Sequence, residues 1–256
     1  MAPRALVTDE LPDRLLFRPL ATVLVRGLVH TPITPNQITI VSALFGVASG
    51  AALATRHTYV FTILIGIMLT LDCADGQLAR LRGGGDIWGR IADGIADYLT
   101  AISFHVGLII WLVTDFGWTQ GLLWGVGAGV SMAWSAYLMD KVKRRYRGDV
   151  DDVEAVQRAH DEAHGIKRFF IGAVLPYASG VSHGIPIEDR DAYRERVRPA
   201  VAFWLWLGPT THYAVAAILI AFDRPMLYAQ VAVIGFNVLT LIAILWLHRL
   251  ESSPRP

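Results

Sequence analysis

Asp72-Cys73-Ala74-Asp75-Gly76-Gln77-Leu78-Ala79-Arg80, followed across a glycine turn by Gly89-Arg90-Ile91-Ala92-Asp93-Gly94-Ile95-Ala96-Asp97, puts four aspartates into two otherwise apolar stretches. Each stretch is close to the roughly 20 residues that a bilayer-crossing helix needs. An aspartate at the centre of such a helix costs roughly 2.5–3.5 kcal/mol, so four uncompensated ones approach roughly 10–14 kcal/mol. Helical geometry suggests what neutralises them. At about 100° per residue, Asp75 and Ala79 lie about 60° and about 20° to one side of Asp72, and Gly76 and Arg80 lie about 40° and about 80° to the other. In the second stretch Gly89, Asp93 and Asp97 follow one another at steps of about 40°. The link Leu81-Arg82-Gly83-Gly84-Gly85-Asp86-Ile87 is short, so the two acidic faces oppose each other in a pocket near one end of the helix pair.

The rest of the chain has the composition of a membrane bundle. Of 256 residues 54% are hydrophobic and 18% charged, with a mean hydropathy of +0.42; soluble domains carry roughly 25% charged residues. Six apolar spans are expected over Gln37–Thr55, Tyr59–Arg80, Trp88–Val113, Gly117–Met139, Pro199–Phe222 and Pro225–Leu247. The fold class is therefore all-α, a single membrane domain with spans within 37–247 and a cytoplasmic stretch at 141–198. Arg56 and Arg224 occupy two short links, while Lys141, Lys143, Arg144, Arg145 and Arg147 cluster at the opposite side. The positive-inside rule makes the clustered side, with both termini and the aspartate pocket, cytoplasmic. Leu11–His30 carries Leu15, Leu16, Leu20, Leu24 and Leu28 on one stripe, which suits a helix on an anionic leaflet or one packed on the bundle. A weaker stripe at Val150, Val153, Val156, Ala159 and Ala163 predicts a cytoplasmic extension of the fourth span. Ile166–Pro186 is apolar but broken by Pro176, Gly180 and Gly184, and reads as interfacial. The first ten residues lack the basic start and apolar core of a signal peptide. A net charge of +1 gives no ground for a nucleic-acid partner.

Clusters made only of carboxylates select hard divalent cations, Mg²⁺ or Mn²⁺, and all four aspartates are candidate ligands. Two such ions can clamp a diphosphate and polarise its phosphorus. Gly76 and Ala79 leave room beside them, and Arg80 offers a guanidinium fork to a phosphate. Cys73 points away from this face. His105 and His212, on the third and fifth spans, read as packing groups, and Trp111 and Trp118 as interfacial anchors. Gly83–Gly85 lacks the Lys-Ser/Thr that completes a phosphate-binding loop, and reads as a turn.

Taken together, Asp72-x2-Asp75-Gly76-x2-Ala79-Arg80-x8-Gly89-x3-Asp93-x3-Asp97 resembles the full signature of the CDP-alcohol phosphotransferases, with all eight positions at the right gaps. Thr34-Pro35-Asn36-Gln37-Ile38-Thr39 is similar to that family's N-terminal pattern. The resemblance implies a homodimeric enzyme of phospholipid or polar-lipid synthesis. Its reaction transfers a substituted phosphate from a CDP-linked donor, here expected to be CDP-diacylglycerol, to an alcohol acceptor with release of CMP. It further implies that Asp72, Asp75 and Asp93 bind two ions, normally Mg²⁺, and that Asp97 is the general base. Gly76, Ala79, Arg80 and Gly89 would surround the CDP moiety. Arg82, Lys141, Arg196 and Arg198 are candidate partners for a phosphate on the acceptor. Tyr98, after Asp97, differs from the residue found in several branches with phosphorylated acceptors. Two other classes compete. Prenyl-transferring membrane enzymes carry two separate aspartate-rich motifs, which are missing here. A cation transporter needs acidic residues continuing outward, and none do.

Overall fold

Thr34 opens the first long helix with a reciprocal cap. Its hydroxyl accepts from the Gln37 N–H at 3.3 Å, Gln37 Oε1 accepts from the Thr34 N–H at 2.9 Å, and Pro35 fills the first helical position. The computed structural model describes residues 8–84, 87–148, 153–165, 168, 171–172 and 190–252. Every element among them is helical. In order these are a π-helical turn at Asp13–Phe17, α1 (Arg18–Leu28), α2 (Pro35–Ala54), α3 (Thr58–Leu81), α4 (Ile87–Arg147), α5 (Val153–Glu162), α6 (Arg190–Trp204), α7 (Pro209–Ala221), α8 (Pro225–Gln230) and α9 (Asn237–Ser252). A second π-helical segment, Val231–Phe236, joins α8 to α9. Five stretches are long and apolar enough to cross a membrane: Pro35–Ala54, Thr58–Leu81, Gly89–Arg147, Arg190–Ala221 and Pro225–Ser252.

The longest of these, α4, has 61 residues, and its path breaks at Gly117 (φ 80°, ψ 167°). Side chains at Gly121, Gly125 and Gly129 would run into Val113, Ile109 and His105 respectively. Each pair lies at equal distances on either side of Gly117, so the two arms run antiparallel in close contact. The stretches expected as the third and fourth spans fall on these two arms. At the same end Arg56 pairs with Asp115, which also accepts from Trp111 Nε1 at 2.8 Å. Trp111 is only 2% exposed and packs in the core, whereas Trp118 is exposed as an anchor would be.

Three other expectations change. The fifth span is not continuous: α6 ends at Trp204, and α7 starts at Pro209 after an extended Gly208. Proline has no N–H to donate and forces the residue before it out of the helical region. The polar helix α5 does not extend the fourth span, because α4 closes at Arg147 with Gly148 left-handed at φ 76°. The interfacial reading of Ile166–Pro186 falls almost wholly outside the described residues.

Around the site the packing is tight. Leu15, Leu16, Leu20 and Leu24 point outward, while Phe17, Ala21 and Val25 are buried. Gln77 of α3 holds α1 by accepting from Thr22 Oγ1 at 2.9 Å and donating to the Arg18 carbonyl at 3.1 Å. Gly46 and Gly50 of α2 meet Thr100, Ser103 and Gly107 of α4 with no room for a side chain, the close approach small residues allow between membrane helices. Phe61, Tyr213 and Tyr228 surround Phe104 with ring centroids 5.4–5.6 Å away, which fixes α7 and α8 against α3 and α4.

Candidate metal centre

The C-terminal end of α3 is built to turn. Gly83 and Gly84 hold φ of 98° and 100°, a region that side chains rarely adopt. The Gly84 N–H donates to the Ala79 carbonyl at 2.9 Å, and the Arg82 N–H to that of Leu78 at 3.1 Å. These bonds satisfy carbonyls the helix end leaves open and let α4 start back along α3 from Ile87. Arg82 secures the adjoining link from outside. Its guanidinium donates to the carbonyls of Ile33 at 2.6 Å and Thr31 at 2.8 Å. A side chain committed to the α1–α2 connection is a poor candidate for a phosphate on the acceptor.

With the turn made, α3 and α4 bring Asp72, Asp75 and Asp93 together. One carboxylate oxygen from each lies within 4.8 Å of the others. Asp75 is held by α2, where Thr39 Oγ1 donates to its Oδ2 at 2.5 Å. Asp93 Oδ1 is buried with no hydrogen-bond partner. Asp97 stands next to this triad rather than within it. The charged groups acting most on Asp72 are Asp97, Asp93 and Asp75; those acting most on Asp97 are Asp93 and Asp75, then Glu10 and Asp13. A buried acceptor oxygen without a donor, among acidic oxygens only, fits a hard divalent cation.

The centre has two sides. Toward α2, Arg80 folds back so that its Nη1 sits 3.3 Å from where a side chain on Gly76 would begin, and its charge acts on Asp75. Gly76, Ala79 and Gly89 are half-buried and Arg80 is exposed, which leaves that side open. Toward α7 stand residues that sequence reasoning did not find. Glu10, 4% exposed, accepts from the Thr211 N–H at 3.0 Å and from the Thr211 hydroxyl at 3.3 Å. Asp13 Oδ2 accepts from Thr210 Oγ1 at 3.1 Å. Burial pushes Glu10 up to about 7 against the pull of Lys143, and raises Asp13 against the Thr210 hydrogen bond. Tyr213 sits one turn further along α7, within the electrostatic reach of Asp97 and Asp72.

The other expectations can now be placed. The half-buried Cys73 faces the N-terminal segment, its thiol 3.8 Å from Asp13 Oδ1. His105 donates from Nδ1 to the Ala101 carbonyl at 2.8 Å. The His212 ring stacks on Phe236 at 3.7 Å. Neither histidine belongs to the acidic group.

Comparison with known proteins agrees with the local pattern. A family model described as CDP-alcohol phosphatidyltransferase matches residues 32–172. The phosphatidylinositol phosphate synthase of Corynebacterium glutamicum is 31% identical over 115 residues, 44% of this chain and 50% of that protein. The enzyme of the same name from Mycobacterium marinum is 27% identical over 152 residues, 57% of this chain and 63% of that one. The match thus spans less than two thirds of the length of these curated relatives. The crystal structure of Mycobacterium tuberculosis phosphatidylinositol phosphate synthase in complex with manganese and citrate aligns with a TM-score of 0.44 at 17% identity, covering 91% of this chain and 90% of that one.

Proposed function

This chain belongs to the CDP-alcohol phosphatidyltransferase family, and from that premise we propose that it moves a phosphatidyl-type group from CDP-diacylglycerol to the hydroxyl of an alcohol, releasing CMP. One observation carries the reading. Three carboxylates converge within 4.8 Å in apolar helices, and one of their oxygens is buried and unpartnered. Asp72, Asp75 and Asp93 hold two Mg²⁺ ions, with Mn²⁺ as a substitute. When bound, the ions offset the charge of the diphosphate and make its phosphorus more electrophilic.

The protein's own groups do the rest. Thr39 fixes the rotamer of Asp75 through its hydrogen bond. Arg80 binds a phosphate oxygen of the nucleotide through its fork, and Gly76, Ala79 and Gly89 leave the space that the CDP moiety fills. Asp97 accepts the proton of the acceptor hydroxyl. The acceptor oxygen then bonds to the phosphorus that carries the lipid, and the bond from that phosphorus to the CMP oxygen breaks. A lipid donor reaches such a site laterally between helices, which favours CDP-diacylglycerol over a soluble donor.

The same proposal covers the setting. The arms of α4 count as two crossings, making six spans with the centre on the cytoplasmic side, where Lys141–Arg147 lies. The outward leucines of the N-terminal helix rest on the leaflet, and the enzyme works as a homodimer within membrane lipid. The test uses purified protein in vesicles that contain CDP-diacylglycerol, with a panel of alcohols. CMP release that requires Mg²⁺, stops with chelator and returns with Mn²⁺ is the expected result. Folded protein that releases no CMP with any acceptor in the presence of metal rules the function out.

A further inference from the structure

The α7 side of the centre is a subsite whose chemistry differs from the nucleotide side. Next to Asp97 stand Asp13 and Glu10 from the N-terminal segment, and Thr210, Thr211 and Tyr213 from α7. Two observations tell what the subsite takes. The first concerns anions. The N-terminus of a helix is the fold's ready-made place for a phosphate, because its first N–H groups have no partner in the helix. Here α7 starts at Pro209, and its Thr211 N–H is already used by the Glu10 carboxyl. Charged or neutral, that carboxyl occupies the donor an incoming phosphate would need. Lys143 acts on both Glu10 and Asp13, one ammonium against two carboxyl groups. Arg18, the arginine that acts on Asp13, is paired with Asp9 at 2.6 Å.

The second observation is Tyr213. The residue is 5% exposed, is acted on by Asp97 and Asp72, and has no hydrogen bond to any described residue. Unlike the Tyr228 hydroxyl it is not fully enclosed, so it borders open space where a polar group is expected to find a partner. A hydroxyl-bearing ligand between Asp97 and α7 supplies one. It also receives hydrogen bonds as readily as it gives them to the carboxylates.

We propose that the acceptor subsite lies between Asp97 and the start of α7, walled by Glu10, Asp13 and Tyr213, and that it selects an alcohol carrying no phosphate. This rests on the proposed transferase function and adds the class of its acceptor. Like charges brought together at such a site disfavour the wrong partner strongly. The phosphorylated member of a substrate pair therefore meets the carboxyl groups of Asp97, Asp13 and Glu10, none of them in the metal-binding triad, and a plugged helix end. Tyr213 is a specificity residue that binds the acceptor oxygen.

The full-length protein in vesicles with CDP-diacylglycerol and Mg²⁺ is given matched pairs, inositol against inositol phosphate and glycerol against glycerol phosphate. The expected kcat/KM favours the unphosphorylated member by about tenfold or more. Tyr213→Phe raises KM for that acceptor while leaving KM for CDP-diacylglycerol alone, a split that a loss of folding does not produce. Glu10→Gln, which keeps a carbonyl for the Thr211 N–H, narrows the preference within each pair. Equal or better use of the phosphorylated member overturns the inference and leaves the transferase function standing. Absence of CMP with every acceptor overturns both.

Discussion

Asp93 and Asp97 are one helical turn apart on α4 and answer to different neighbours. Asp93 shares an oxygen cluster with Asp72 and Asp75, whereas Asp97 stands beside that cluster, acted on first by Asp93 and Asp75 and then by Glu10 and Asp13. The division predicts different losses. Asp97→Asn removes a proton acceptor and leaves the three clustered oxygens, so turnover falls by about 10²–10⁴, the usual worth of general base catalysis. Its response to Mg²⁺ in a thermal melt is retained. Asp93→Asn breaks the cluster and loses both turnover and the Mg²⁺ response. CMP release and the metal-dependent shift in Tm, measured side by side on both variants, test the assignment. Loss of the shift in Asp97→Asn makes Asp97 a ligand instead. The four aspartates were legible in the sequence because an acid inside an apolar run is costly wherever the chain goes. Glu10 and Asp13 were not, since acids at the start of a polar-flanked segment look solvated until α7 packs over them. Thr39 falls between these cases. It lies in the Thr34–Thr39 stretch, but nothing local says its hydroxyl meets Asp75, which is 36 residues away.

The apolar runs foretold the helices as elements, and their punctuation was harder to read. A run long enough for two crossings gives no hint of which glycine turns, and the turn came at Gly117 rather than in Thr114–Phe116. The choice depends on tertiary contact, since Gly121, Gly125 and Gly129 are what let the second arm lie against the first. Gly208-Pro209, by contrast, broke the expected fifth span for a local reason that a hydropathy window averages away. At Gly117 the backbone sits in a region that is essentially restricted to glycine, and strain there costs of order 1–3 kcal/mol. No atom lies within 4 Å of where a side chain would start, so backbone conformation alone sets the penalty. Gly66, inside α3, also has nothing within 4 Å, but it is helical. Gly117→Ala is expected to lower Tm by several degrees, and Gly66→Ala to leave it unchanged or raise it slightly, since alanine is favoured over glycine in a helix by about 1 kcal/mol. Equal effects at the two positions count against a hairpin held by Gly117.

Across the whole molecule the acidic centre opposes the stability of the bundle that contains it. The Phe104 aromatic cluster and the glycine contacts between α2 and α4 tighten the fold on one side of these mutually repelling groups, and the Arg82 connection tightens it at the other end of α3. A scaffold of this kind is arranged for binding rather than for its own stability, as functional sites commonly are. The balance predicts how metal couples to folding. A ligand that binds only the folded state at about 100 times its Kd adds about 2.7 kcal/mol. Mg²⁺ is therefore expected to raise Tm by several degrees in detergent or vesicles, with Ca²⁺ and a monovalent control for comparison. Asp72→Asn removes one repelling charge from the middle of the cluster. Without metal it should melt above the unsubstituted protein, and with metal it should gain little, so the two proteins exchange rank as Mg²⁺ is added. If Mg²⁺ leaves the unsubstituted protein unmoved, or if Asp72→Asn melts lower even with chelator present, the carboxylates are balanced from within the chain. The metal centre would then lose its physical basis.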